Sequence, residues 1–272
     1  MKQEIQRVVV PLDAVSETQN AIDTAVRLAV QWQVPLYGIF IEDEELIGFA
    51  ALPFAHQITL SAGLQPLTQD HIEDHFRAVA ERAKHELQAA AERSGVKWSF
   101  EVVRGPLNAA KLGEHDFVIA GAACRPIGSH FRIASRWWSL TATIAPPLLL
   151  AKRQWETGGS IFALLRGRGP QSARMLEIAA QIAGISRAAL TVAGPPDLAG
   201  ADEFAAWVSE LLEGHSLTFS TEPAAVEPTA LRQRIIELDC RLLVLEGSPD
   251  EDRPEELREL VEPLSCDVLV VR

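Results

Sequence analysis

The chain closes twice in the same way. Residues 116–121 (DFVIAG) lead through a loop and a helical stretch to 145–153 (APPLLLAKR), and residues 241–246 (RLLVLE) lead in turn to 265–272 (SCDVLVVR). Upstream of each ending, short apolar runs alternate with stretches of helical periodicity. Strands are predicted over 7–12, 35–41, 98–103, 116–120 and 148–151, then over 160–165, 188–193, 215–220, 241–245 and 267–271. Helices are predicted between them, among them 71–94, 131–144, 171–183, 202–213, 228–238 and 253–263. Both halves therefore read βαβαβαβαβ. A repeat of about 130 residues is too long for a solenoid and signals two similar domains, each a parallel sheet wrapped by helices. The expected boundaries are 1–153 and 160–272, with the polar, Gly-Gly-containing 154–159 as linker. The last strands, 148–151 and 268–271, should pair antiparallel within the chain and so bury both edges.

Charge narrows the partners. The formal net charge is −12 over 272 residues, which disfavours nucleic acid and anionic membrane. Residues 1–155 hold 15 of the 25 Lys/Arg and 17 of the 37 Asp/Glu, a net of −2, leaving −10 for 156–272. An anionic ligand is less welcome in the second half. No uninterrupted apolar run is long enough for a transmembrane helix, and MKQEIQRVVVPLD lacks the apolar core of a signal peptide. The three cysteines, Cys124, Cys240 and Cys266, form neither a disulfide framework nor a CxxC metal site. A cytoplasmic protein is expected.

The points at which chemistry could reside are few. A Gly-rich loop between a strand end and a helix start, as at 121–131, is where an α/β sheet seats an anion. His71 and His75 share a helix face at the spacing of two metal ligands, but two ligands make no site, and a solvated first turn is expected there. Cys124 stands beside Arg125 and is read as a small residue in the loop. Residues 46–69 are apolar, broken by Pro53, Gly63 and Pro66, and are expected to pack against the protein's own body. No GxSxG, Walker or zincin pattern occurs, so an enzyme is weakly supported.

Three features together resemble the universal stress protein family: the VVVPLD opening, the second strand in VPLYGIFIEDEE, and the repeated close FVIAG…APPLLLAKR and LLVLEG…SCDVLVVR. The resemblance covers nearly the whole chain, twice. It implies two tandem flavodoxin-like, doubly wound domains, each with a five-stranded parallel sheet, packed as a pseudo-dimer. It also implies a site. Nucleotide-binding members carry a loop of glycine, two residues, glycine, nine residues, glycine and Ser or Thr after the fourth strand. Here Gly121 and Ser135 match, while Cys124 and Ala134 replace the other two glycines, with Arg125 following Cys124. Asp13 matches the aspartate at the end of the first strand, and Ile39 lies near the residue whose backbone faces the adenine.

A side chain at Cys124 or Ala134 narrows the approach of backbone N–H groups to a phosphate. The resemblance implies ATP or AMP in the first domain, held by Asp13, Ile39, Gly121, Arg125 and Ser135, with no catalytic residue and no metal. In the second domain Arg166 or Gly167 stands at the strand-end aspartate and acidic residues crowd the loop, so no cofactor is expected there. The implied function is a non-catalytic stress-response protein that binds an adenine nucleotide, a protein partner, or both, as an internal domain pair or a homodimer. The alternatives are a slow ATP hydrolase of the same superfamily and a nucleotide-independent interaction module.

Overall fold

A computed structural model describes residues 5–13, 19–59, 63–105, 112–121, 144–199, 202–224, 228–247, 261 and 263–272. The first half runs β1 (Arg7–Leu12), α1 (Gln19–Trp32), β2 (Leu36–Glu42), α2 (Glu44–Ala50), β3 (His56–Thr59), β4 (Gly63–Pro66), α3 (Gln69–Arg93), β5 (Trp98–Arg104), β6 (Asp116–Gly121) and β7 (Leu148–Ala151). The second runs β8 (Ser160–Leu164), α4 (Pro170–Ser186), β9 (Ala189–Gly194), α5 (Asp202–Leu211), β10 (Phe219–Pro223), α6 (Pro228–Glu237), β11 (Cys240–Glu246) and β12 (Asp267–Val271), with one helical turn at Pro196–Ala199. No helix among the described residues is long and apolar enough to cross a membrane.

Ten strands form one sheet in the order β10-β9-β8-β11-β12-β7-β6-β1-β2-β5. Within each half the strands lie third, second, first, fourth, fifth, and all are parallel. The halves meet through β7 and β12, antiparallel, with Val268 opposite Leu150, Leu269 opposite Leu149 and Val270 opposite Leu148. Both strands of this seam are buried along their whole length, as their unbroken apolar runs require.

Helix stripes explain how the sheet is covered. Ala21, Ile22, Ala25, Leu28 and Ala29 of α1 bury one side, and Ile72, Phe76, Ala80, Ala83 and Leu87 do the same on α3. Thr68 caps α3 by accepting the His71 N–H. Gly38 lets α3 lie flush on β2, because a β-carbon there would meet Leu87 Cδ2 at 2.5 Å and the Phe100 ring at 2.9 Å. Gly38→Ala should therefore cost about 1–3 kcal/mol in urea melts, as overpacked cores do, and an unchanged midpoint would show that the helix yields freely.

Two expectations change. The third strand of the second half is Phe219–Pro223, not 215–220. His215 N donates to Leu212 O and Leu217 N to His215 O, so these residues finish the turn after α5 before the chain reaches the sheet edge. The 46–69 stretch is α2 followed by a β3–β4 hairpin outside the main sheet. Ile47, Ala50 and Ala55 do pack inward, yet Phe54 and Leu64 are 68% and 67% exposed. The linker is fixed: Gly158 N donates to Ser186 O, Glu156 pairs with Arg241, and Gly158 and Gly159 supply the positive φ values of 85° and 79° that the turn needs. The helices expected at 131–144 and 253–263 lie mainly outside the described residues.

Candidate functional site

In a doubly wound sheet the crevice opens beyond the carboxyl ends of the strands where the winding reverses. In the first half that point lies between β1 and β6. Gly121 is the last residue of β6, and Asp13 directly follows Leu12, the last residue of β1. The hydrogen-bonded ladder between these strands stops at Val9 opposite Val118, although both strands continue. Pro11 is the cause. Val8 N donates to Pro35 on the β2 side, so by alternation the next group due to face β6 after Val9 is Pro11, which has no N–H. The strand ends at the crevice are thus released from each other, while β1 stays paired with β2 up to Leu12 opposite Phe40.

The acidic cluster after β2 is committed to structure. Glu42 takes Arg104 Nε at 3.1 Å, and Arg104 Nη2 also reaches Glu73 at 3.2 Å. The Glu42 contact holds the guanidinium firmly protonated. Asp43 caps α2, accepting the N–H of Glu45 at 2.9 Å and of Leu46 at 3.2 Å. Ile39 is fully buried in the middle of β2, in register with Pro11 on one side and Glu101 on the other. Arg125 and Ser135 lie outside the described residues, as do Cys124 and Ala134. Asp13 and Gly121 are therefore the expected site residues that the fold brings to one place. His71 and His75 are exposed on the first turns of α3.

The second half is built differently at the matching place. Glu246 is the last residue of β11, the position that Gly121 holds on β6. Its carboxylate accepts the Arg166 N–H at 3.1 Å and the Ser172 hydroxyl at 2.9 Å. Gln171 of the same helix turn donates to the carbonyls of Gly247 and Val271. The β8–β11 ladder runs on to Leu164 opposite Leu245, with no proline to interrupt it. A carboxylate of the chain itself thus sits at the start of α4, where the first N–H groups of a helix favour an anion. Sequence reading noted the acidic loop here but missed Glu246 as the plug. Counting residues back from the two similar endings would have set it opposite Gly121.

Fold and strand ends together define a tandem, doubly wound α/β protein in which Gly121 ends the fourth strand of one half and the hydrogen-bonded Glu246 ends that of the other. No protein-family model matches the sequence, and no curated protein is similar to it in sequence. Among solved structures, a universal stress protein from Archaeoglobus fulgidus DSM 4304 matches with a TM-score of 0.71 over 100% of this chain and 98% of that one, at 12% identity. A protein of unknown function from Pseudomonas aeruginosa PAO1 matches at 0.61 over 99% and 93%, at 17% identity. A candidate universal stress protein from Pseudomonas aeruginosa UCBPP-PA14 matches at 0.59 over 99% and 94%, at 16% identity. The chain has the universal stress protein fold, twice in tandem.

Proposed function

We propose that the protein is a non-catalytic, cytoplasmic ligand-binding protein of the stress type, which takes an adenine nucleotide in its first half alone. Asp13, Gly121 and the Ile39 backbone would line the pocket, with Arg125 and Ser135 contributing from the loop after β6. The observation that carries this reading is the contrast between the two switch points. At one, the β1–β6 ladder stops at Val9 opposite Val118 and β6 ends on Gly121, which has no side chain. The other has Glu246 bonded to Arg166 and Ser172.

Thermal shift tests the reading. ATP or AMP at about a hundred times Kd should stabilise the protein by about 2.7 kcal/mol. Asp13→Ala should abolish the shift. No phosphate should be released over hours of incubation with ATP; release would move the protein to the hydrolase class. No shift with ATP, ADP or AMP would overturn nucleotide binding.

A second reading then gains ground, a nucleotide-independent interaction module. It is favoured by the exposed apolar side chains of α2, the turn after it and the hairpin, Phe49, Leu52, Phe54 and Leu64.

A further inference from the structure

Cys240 opens β11 and Cys266 directly precedes β12, its neighbour in the sheet. Strict alternation would set them on opposite faces. Leu242, Val244, Leu269 and Val271 face the core beneath α1, α3 and α4, while Leu243, Leu245, Val268 and Val270 face the other core. Counting back by twos, Cys266 falls with Val268 and Cys240 with Leu242. The register of β11 slips between Cys240 and Leu242, however, and this bulge turns Cys240 to the Cys266 face. Both thiols are therefore free, buried in one apolar cluster, on one face, at the same end of adjacent strands. Same-face neighbours on adjacent strands lie about 5 Å apart, within the Cα span of roughly 4.4–6.8 Å that a disulfide bridges. The two thiols are near enough for each to act on the other's ionisation.

The pair is not symmetrical. The Cys240 thiol also donates to Leu242 O at 3.2 Å. The Lys152 ammonium is held at 2.6 Å from Val261 O and 2.9 Å from Leu264 O, close enough to Cys266 to act on it electrostatically. The neighbouring Cys240 thiol and then the Lys152 charge lower the Cys266 pKa, while Cys240, beside Cys266 and desolvated, is pushed up. Cys266 is the better nucleophile of the two.

We infer that Cys266 and Cys240 form a thiol pair that a hydroperoxide converts to an intramolecular disulfide. The Cys266 thiolate attacks one peroxide oxygen, the O–O bond breaks, and the leaving oxygen takes a proton to become water or an alcohol. The Cys240 sulfur then attacks the sulfenic sulfur of Cys266 and loses its proton; the S–S bond forms as the S–O bond breaks, and the hydroxyl leaves as water. Two thiols are oxidised by two electrons and one peroxide is reduced.

The test treats the native full-length chain with hydrogen peroxide, removes the excess with catalase, then denatures and alkylates. Alkylated thiols should fall from three to one, and peptide mapping should join Cys240 to Cys266 with loss of two hydrogens. Cys240→Ser should stop at a sulfenic acid on Cys266, trapped by dimedone. Cys266→Ser should leave Cys240 unoxidised. Three alkylated thiols in the treated wild-type chain would overturn the inference, as would a disulfide to Cys124 or oxidation of Cys266 beyond sulfenic acid with Cys240 unlinked. The wild-type mapping stands even if a variant folds poorly.

Discussion

Asp267→Asn is expected to make the protein more stable at pH 7.5 by about 3 kcal/mol, with the gain fading to nothing near pH 4. Asp267 starts β12 at the seam between the halves and is 8% exposed. Its Oδ1 accepts both the Lys152 N–H at 2.7 Å and the Arg153 N–H at 3.0 Å. Burial dominates nonetheless, and raises the carboxyl from its ordinary 3.8 to about 6 despite those bonds and the nearby cations. Between these two values the folded state binds more protons than the unfolded one, so stability falls as pH rises from about 4 to about 6. Each pKa unit is worth about 1.4 kcal/mol, which gives the total. Asparagine keeps the Oδ1 acceptor and removes the charge. Urea melts of both proteins at pH 4 and pH 7.5 decide the matter. A variant less stable at pH 7.5, or a gain independent of pH, would show that the ionised carboxylate helps the seam.

Cutting the chain after residue 155 should have a larger effect still. The first half alone would expose β7, whose Leu148, Leu149 and Leu150 are at most 2% exposed in the intact protein. Full burial of such a side chain is worth about 1.5–3 kcal/mol, of which a part is lost when β12 is removed, and the bare strand offers a row of unpaired backbone groups. Residues 1–155 should therefore dimerise or aggregate in light scattering coupled to size exclusion. Adding residues 156–272 should restore a one-to-one complex. A well-behaved monomeric half would mean that the seam is not what keeps the strand edges from associating. The same experiment tests the proposed division into domains 1–153 and 160–272.

Central strands were readable because burial on both faces leaves them no polar positions. RVVVPL, DFVIAG and DVLVV needed only their composition. The edge strand β10 was not, since none of its residues is buried and they carry no such run, whereas the other edge strand, β5, was read to within one residue. The misplacement of that strand by four residues at its start follows from Leu217 and Phe219, whose alternation suits a strand but whose backbone is partly a turn. Asp13 and Gly121 were legible as strand ends. The function of Pro11 was not, because a proline in an apolar run says nothing of which neighbour its missing N–H would have met. Cys240 and Cys266 lie 26 residues apart, and only a bulge places them on one face.

The seam has one more consequence. In a symmetric pair of identical subunits, every substitution is made twice, and a glutamate at the end of the fourth strand would close both crevices at once. Fusing the two copies into one polypeptide removes that coupling. Glu246 could arise at one rim while glycine persisted at 121 on the other, and the two strand ends could diverge independently.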